Sequence, residues 1–349
     1  MANLMITGGA GFIGVNFVRH WNAEHPQDAI TVVDVLTYAG NRASLDGTNT
    51  DLIVENICDT NKMTALIKER SIDTIVHFAA ESHVDRSIDG PDAFIETNVI
   101  GTHSLLKAAK ANWLNSDGRD HRFHHVSTDE VYGSLGVNDP AFNEATAYAP
   151  NSPYSASKAA SDHLVRAYYH TYGLNVTTSN CSNNYGPYQF PEKLIPLFIL
   201  NCLDGRPLPI YGDGMNVRDW LHVEDHCRGI ESVIMEGRSG ETYCIGGGQE
   251  LPNMAVIDAI CATVDAAFVN DPSLALRFPN APAANGERSE RLKTYITDRK
   301  GHDRRYAIDE TKAREELGYA PSRTFERGFA QTLDWYLSNE DWWQAIRMR

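Results

Sequence analysis

The sequence has little cysteine, little positive charge and no long apolar segment. Its 349 residues include six cysteines, which lack the spacing of a metal site, and thirteen histidines that form no ligand motif. We therefore expect buried thiols, with neither disulfides nor a metal ion. The 31 lysines and arginines against 46 aspartates and glutamates give a net charge of −15. This balance argues against a nucleic acid partner, which needs an extended basic surface, although a small nucleotide needs only a few local cations.

Two further absences concern the membrane. No apolar run approaches the roughly 18 residues of a membrane span. Met1 is followed almost directly by an apolar segment, without the features of a signal peptide. We therefore expect a cytoplasmic protein with no membrane partner.

The first half of the sequence alternates apolar segments with helical patterns. Strands are predicted near 4–7, 30–34, 51–55, 73–79, 123–128 and 174–179, and helices near 11–22, 61–70, 92–111 and 153–171. This order predicts an α/β fold with a Rossmann-type, doubly wound parallel sheet. After Asn180 the rhythm gives way to loops rich in proline and glycine. We expect residues 1–180 to form the sheet domain and 181–349 mainly a smaller C-terminal lobe, with some segments returning to the sheet.

A glycine turn follows the first predicted strand. Residues 8–14 read Gly-Gly-Ala-Gly-Phe-Ile-Gly and lead into a helix, an order that brings backbone N–H groups and a helix N-terminus close to a pyrophosphate. The second strand ends at Asp34, where a carboxylate can bind the ribose 2′-hydroxyl of NAD and would repel the 2′-phosphate of NADP. The pattern favours NAD binding, and the alternative is a turn that only packs strand on helix.

The candidate catalytic residues lie in two motifs about twenty residues apart. Tyr154 and Lys158 are four residues apart and share a helix face, so that the ammonium can lower the phenol pKa and make the tyrosine a base for alcohol oxidation. Thr128 can hold the substrate oxygen. Asp129 and Glu130 add two carboxyls that oxidation does not need, which suggests acid and base work in a second step. The alternative for Tyr154 and Lys158 is a solvent-exposed pair on a helix. The alternative for Asp129 and Glu130 is that they cap the turn at the end of the strand.

With these residues in place, the sequence resembles the extended short-chain dehydrogenase/reductase family and, within it, the dTDP-glucose 4,6-dehydratases. The resemblance covers residues 3–335 approximately. It is densest in segments expected to face the ligand, which are 8–14, 36–41, 79–88, 96–98, 183–196, 218–220 and 298–306. In the last of these, Lys300 replaces the proline that we associate with the family.

The resemblance implies a reaction that begins with oxidation at C4 of the sugar by Tyr154 and NAD. Glu130 then removes the C5 proton, Asp129 donates a proton to the departing C6 hydroxyl, and the hydride returns to C6. NAD would be tightly bound and recycled within each turnover. The implied product is dTDP-4-keto-6-deoxyglucose, formed with loss of water, and we expect burial and the neighbouring carboxyl to raise the pKa of Asp129.

The resemblance also implies the ligand contacts. The expected NAD contacts are Gly8, Gly11, Phe12, Ile13, Gly14, Asp34, Leu36, Thr37, Asp59, Ala79, Ala80, Ser82, Thr97, Tyr154, Lys158 and Asn184. The expected contacts to the nucleotide sugar are Ser82, Thr128, Asn183, Lys193, Leu194, Pro209, Ile210, Tyr211, Arg218, Asn253, Asp298, Arg299 and His302. Most of the second set lies in the C-terminal lobe, which we therefore expect to bind the substrate.

Several alternatives stay open at this point. A UDP-glucose or other nucleotide-hexose 4,6-dehydratase would share the acid pair. A nucleotide-sugar 4-epimerase would share the tyrosine and lysine but has no use for two adjacent carboxyls, a decarboxylase would need a site for a C6 carboxylate, and a noncatalytic NAD-binding regulator would need none of these groups. The apolar surface of helices 92–111 and 153–171 either forms the interface of a homodimer or only covers the sheet.

Overall fold

The centre of the protein is a seven-stranded sheet in which every pairing is parallel. The structure, a computed structural model, describes residues 2–114, 120–299 and 301–348. The sheet strands are β1 (Asn3–Thr7), β2 (Ala29–Asp34), β3 (Asp51–Val54), β4 (Thr74–His77), β5 (Arg122–Thr128), β6 (Val176–Cys181) and β10 (Thr242–Ile245). Their order across the sheet is β10-β6-β5-β4-β1-β2-β3. The predicted doubly wound parallel sheet is confirmed.

Successive apolar side chains of β1 point to opposite faces of this sheet and contribute to a separate core on each face. Met5 points into one cluster with residues of the helices that follow β3, β4 and β5, while Leu4 and Ile6 point into the other. All three side chains are fully buried. Burial on both faces is what a parallel sheet covered by crossover helices requires.

The helices either cover the sheet or pack beside it. They are α1 (Phe12–Glu24), α2 (Thr60–Glu69), α3 (Val84–Asp89), α4 (Asp92–Phe94), α5 (Thr102–Trp113), α6 (Pro153–Tyr172), α7 (Leu194–Asp204), α8 (Val223–Glu236), α9 (Asn253–Asn270), α10 (Leu274–Arg277), α11 (Thr311–Leu317), α12 (Phe325–Ser338) and α13 (Glu340–Arg347). The predicted helix 92–111 is interrupted by a π-helical segment, Ile95–Gly101.

Local signals in the sequence fix the ends of α6, the helix that carries Tyr154 and Lys158. Ser152 and Ser155 form a reciprocal capping box, and Pro153 occupies the first helical position. Gly173 ends the helix with a φ of +72°, the left-handed conformation that glycine adopts without a steric penalty. The start of this helix, and with it the position of Tyr154, is therefore set by the local sequence.

Beside the sheet lies a second body, formed by α7, α9, α12 and five short strands. Its own core lies between these three helices. Short strands complete it, namely β7 (Asn183–Tyr185), β8 (Leu208–Tyr211), β9 (Val217–His222), β11 (Glu250–Pro252) and β12 (Lys293–Ile296). They pair as β11-β9-β7 and β12-β8. From the same half of the chain, β10 pairs with β6 in the large sheet.

One helix of the second body departs from the expectation of no membrane-length apolar segment. By length and composition α9 could span a membrane, with a mean hydropathy of 1.3 over 18 residues. Asp258 and Asp265 interrupt the apolar run of this helix. Val256, Ile260 and Val264 of this helix are fully buried in the core against α7, as in a core helix of a folded domain.

Candidate active site

The glycine turn lies where the loops after β1 and β4 come closest. Gly8 has a φ of +70°, and a Cβ there would lie 2.6 Å from the Ala79 backbone nitrogen. A Cβ at Gly14 would lie 2.3 Å from the Gly8 carbonyl oxygen. Gly11 precedes α1 and provides no side-chain cap, so the first N–H groups of that helix have no intrahelical partner. Gly8 and Gly14 are therefore required, because backbone approaches backbone too closely at these positions for any side chain.

Asp34 ends β2 beside this turn, as predicted. Its carboxylate is buried and accepts hydrogen bonds from the Ala10 N–H at 3.0 Å and the Leu36 N–H at 2.8 Å. Burial raises the pKa of Asp34, and these two bonds oppose that shift. Leu36 itself has a φ of +54°, an uncommon conformation for a branched side chain, and Thr37 after it is exposed.

The candidate acid pair follows β5 in a single turn of 3₁₀ helix, Asp129–Tyr132. The Thr128 hydroxyl accepts from the Glu130 N–H and lies 3.4 Å from Asp129 Oδ1. Asp129 is 2% exposed, and among the described residues its Oδ2 has no hydrogen-bond partner. Burial raises the pKa of Asp129 well above its ordinary value, and the Glu130 charge raises it further. The shift has the predicted direction and keeps this carboxyl protonated.

Glu130 faces cations from the second body. Burial raises its pKa, while Arg299, Arg218 and Lys193 lower it. These cations come from segments far apart in the sequence, so they meet the acid pair only in the fold. Their charges oppose the effect of burial on Glu130, whereas burial and the Glu130 charge both raise the pKa of Asp129, so the two neighbouring carboxyls have different electrostatic environments.

Tyr154 and Lys158 are both buried on the face of α6 that meets β5. The prediction of a net lowering of the Tyr154 pKa is wrong for this structure. Burial raises the pKa of Tyr154 well above its ordinary value, Glu130 adds to the shift, and a hydrogen bond with Thr128 opposes it. The Lys158 ammonium donates instead to the Val126 carbonyl at 2.9 Å, and its own pKa is lowered by burial.

Two predicted contacts to the nucleotide sugar are arginines, Arg218 in β9 and Arg299 in the loop after β12. Arg218 is 5% exposed, donates to the Asp303 carbonyl at 2.9 Å and stacks on the Tyr306 ring at 4.2 Å. Arg299 lies 3.4 Å from Asp85, and among the described residues its buried Nε has no hydrogen-bond partner. Guanidinium groups held in this way are suited to binding phosphate oxygens.

The other predicted contacts to the nucleotide sugar line the same region. Lys193 donates to the Ser82 carbonyl at 3.0 Å, Tyr211 donates to Asp85 at 3.3 Å, and His302 lies 2.6 Å from Asp298. The remaining members are Leu194 at the start of α7, Pro209 and Ile210 in β8, Asn253 at the start of α9, and Asn183 in β7, whose buried Oδ1 has no partner among the described residues. Lys300 lies outside the described residues.

The remaining predicted cofactor contacts include two side chains that form hydrogen bonds within the protein. Asp59 caps α2 by accepting from the Lys62 N–H at 3.0 Å. The Asn184 amide donates to the Ser182 carbonyl, and its oxygen lies 3.0 Å from His226 Nδ1. Phe12 and Ile13 begin α1, Ala80 follows Ala79 after β4, and Thr97 lies in the π-helical segment. Hydrogen bonds within the protein thus already engage the side chains of Asp59 and Asn184.

The structure adds a bridge over the glycine turn that the sequence reading missed. The Arg86 guanidinium stacks on the Tyr38 ring at 3.6 Å and donates to Glu192 at 3.1 Å. Tyr38 belongs to the loop after β2 and Arg86 to α3 after β4, and these two strands flank β1 in the sheet. A contact between them therefore crosses the end of β1 where the turn begins. No local pattern marks this contact, because it joins three distant segments.

Comparison with known proteins identifies the family to which the chain is similar. Residues 5–332 match the family model described as GDP-mannose 4,6-dehydratase. The chain is 55% identical to a dTDP-glucose 4,6-dehydratase of Xanthomonas campestris pv. campestris, over 99% of this chain and 96% of that protein. Its structure resembles that of DesIV, a dTDP-glucose 4,6-dehydratase of Streptomyces venezuelae solved with NAD bound, with a TM-score of 0.86, 46% identity and 99% coverage of both chains. A dTDP-glucose 4,6-dehydratase from Bacillus anthracis in complex with NAD gives a TM-score of 0.84, 43% identity and coverage of 99% and 100%.

Proposed function

The chain belongs to the dTDP-glucose 4,6-dehydratases of the extended short-chain dehydrogenase/reductase family, and from that premise we propose that it converts dTDP-glucose to dTDP-4-keto-6-deoxyglucose and water. The observation that carries this function is the buried Asp129 beside Glu130, one residue after Thr128. A dehydrogenase or an epimerase needs no such pair. An elimination needs both an acid and a base.

NAD fits the edge of the sheet where β1 and β2 end. Gly8 and Gly14 leave no room for a side chain, so that backbone there can approach a pyrophosphate, and the N-terminus of α1 adds its free N–H groups. Asp34 would hold the adenosine ribose. When bound, NAD supplies the hydride acceptor for C4 and the hydride donor for C6.

The oxidation depends on Thr128, Tyr154 and Lys158. Tyr154 takes the proton of the C4 hydroxyl, and Thr128, which hydrogen-bonds Tyr154, orients that oxygen. The phenol is held in its neutral form by burial and by Glu130, so it needs a positive charge nearby to act as a base. Lys158 provides that charge from the next turn of α6.

The elimination depends on the different states of the two carboxyls. Glu130, whose ionised form is favoured by the charges of Arg299, Arg218 and Lys193 against the effect of burial, removes the C5 proton that the 4-keto group has made acidic. Asp129, kept protonated by burial and by Glu130, donates its proton to the C6 hydroxyl as water leaves. C6 then regains the hydride and C5 a proton, which completes the turnover without net oxidation.

The second body would bind the nucleotide and its phosphates, and we assign this role mainly to residues 181–349. Support comes from the cations that converge on the acid pair, Arg218 and Arg299, together with Lys193. The nucleotide would lie against Leu194 and β8. This arrangement places positive charge locally in a protein whose net charge is −15.

We also infer a cytoplasmic homodimer. Ile88, Ile95 and Ile100 are 38%, 48% and 45% exposed along the segment from α3 to α5, and apolar side chains grouped in this way favour a subunit interface. All six cysteines are free thiols, which fits a reducing compartment. Light scattering of the purified protein would test the dimer.

The function is tested by separate incubations with dTDP-glucose, UDP-glucose and GDP-mannose, followed by mass spectrometry of the sugar nucleotide. The proposal expects loss of one water from dTDP-glucose and slower turnover of the other two. Preference for another nucleotide would overturn the substrate assignment. Inversion at C4 without loss of water would overturn the reaction itself.

A further inference from the structure

A third ionisable residue shares the helix face of Tyr154 and Lys158. Asp162 lies four residues after Lys158 on α6, and all three side chains are buried at 8%, 4% and 5% exposure. A carboxylate removed from water is unfavourable unless charges or hydrogen bonds compensate. The reaction assigned to this site makes no use of Asp162, so its burial calls for a separate explanation.

The Asp162 carboxylate is a junction between four chain segments. Its Oδ2 accepts from the Ser127 hydroxyl at 2.9 Å, the Tyr148 hydroxyl at 2.9 Å and the Asn180 amide at 3.3 Å. Its Oδ1 lies 3.1 Å from His125 Nε2. These donors come from β5, from the loop before α6 and from β6. Asp162 thereby fixes α6 against the two strands whose ends form the catalytic site.

Two of these partners act directly on the catalytic turn. Ser127 immediately precedes Thr128, and the Asn180 amide also donates to the Thr128 carbonyl at 3.1 Å. A shift of the Asp162 carboxylate would therefore move the backbone that presents Thr128 and Asp129. Because positioned groups lose much of their effect when displaced by about 1 Å, the network has consequences for the reaction as well as for the fold.

The network also carries a negative charge close to Lys158. Burial would raise the pKa of Asp162, but the contact with His125, the Lys158 charge and the Ser127 hydrogen bond lower it below its ordinary value. Burial holds His125 neutral, with a pKa of about 4. Among the described residues, the ionisable groups facing the Tyr154 and Lys158 pair are Asp162 on α6, His77 on β4, His125 on β5, Asp129 and Glu130 in the turn after β5, and Cys181 on β6.

We propose that Asp162 is a positioning residue for this reaction, which holds the ends of β5 and β6 against α6 and keeps the Lys158 ammonium charged. The inference rests on the proposed function. Among the acidic groups that face Lys158, Asp162 lies on the same helix, one turn away. Its charge offsets the cost of burying the ammonium, and the ammonium is the group that favours the Tyr154 phenolate.

The test is the variant Asp162→Asn, which keeps the shape of the side chain and removes its charge. Loss of the anion disfavours the ammonium, so the alkaline limb of the pH profile of kcat/KM is expected to move to lower pH by about one unit or more. Asp89→Asn makes the same chemical change at an exposed position and is expected to leave the profile unchanged. Should Asp162→Asn fail to fold, Asp162→Ser removes the charge with a smaller side chain and is read in the same way.

A second measurement separates this inference from the proposed function. NMR of protein labelled at the lysine ammonium nitrogen follows the titration of Lys158 without turnover, with Lys158→Arg identifying the signal. The inference expects that titration to move to lower pH in Asp162→Asn. An unchanged Lys158 titration together with a lower unfolding temperature would reduce Asp162 to a structural residue, whereas wild-type protein that fails to turn over dTDP-glucose would overturn only the proposed function.

Discussion

Replacing Glu130 with glutamine should divide the reaction into its two stages. The amide has nearly the volume of the carboxylate but cannot take the C5 proton, while Thr128, Tyr154 and Lys158 stay in place for oxidation at C4. A positioned general base contributes about 100- to 10,000-fold to a rate. At about 1.4 kcal/mol for each tenfold change, the variant should raise the elimination barrier by about 3 to 5 kcal/mol. Substrate and cofactor should then accumulate as the 4-keto sugar and NADH.

The assay is a single turnover with excess enzyme, in which nicotinamide absorbance follows oxidation and mass spectrometry follows loss of water. Wild-type protein should show only a brief rise in NADH, whereas Glu130→Gln should hold the reduced cofactor. Glu236→Gln, the same change at an exposed position on α8, should behave as wild type. Water loss at the wild-type rate in Glu130→Gln would refute the assignment of Glu130 as the base.

Three further substitutions test the earlier steps and the cofactor site. Tyr154→Phe removes the phenol, so single turnovers should form no reduced cofactor, and NADH formation at the wild-type rate would contradict its role as base. Gly8→Ala and Gly47→Ala both place alanine at a left-handed φ, +70° and +77°, but only Gly8 meets other backbone within 3 Å. The change at Gly47 should lower the unfolding free energy by about 1 kcal/mol. Gly8→Ala should lower it further in denaturation experiments and should abolish NAD binding in calorimetry. Equal effects of the two substitutions would contradict the packing argument. Arg86→Ala should speed NAD release measured by stopped flow because it opens the bridge over the glycine turn, and an effect no larger than that of Arg70→Ala, an exposed arginine, would remove that function from the bridge.

The cofactor edge of the sheet could be predicted because each of its signals is local. A strand, a glycine turn and a helix follow one another in the first twenty-four residues, and Asp34 ends the next strand. Parallel strands bring their carboxyl ends to one edge, so the order of motifs along the chain already predicts which residues meet. The acid pair after β5 was found by the same reasoning.

Features that depend on distant contacts could not be read in this way. Thr242–Ile245 is a short segment whose place in the sheet is decided by pairing with β6. Asp162 has the appearance of a solvated helix residue until β5 and β6 supply its donors. The direction of the Tyr154 pKa shift was predicted wrongly because the sequence shows the nearby lysine but does not show the depth of burial or the approach of Glu130.

The central claim is that oxidation, elimination and reduction take place within one active site on one sugar. Substrate carrying deuterium at C4, mixed with undeuterated dTDP-glucose whose ring carbons are carbon-13, tests it directly by mass spectrometry and NMR of the product. The account predicts that deuterium moves to C6 of the molecule in which it began, with no net formation of NADH. Deuterium that appears in the carbon-13 product, or that leaves the sugar altogether, would contradict it.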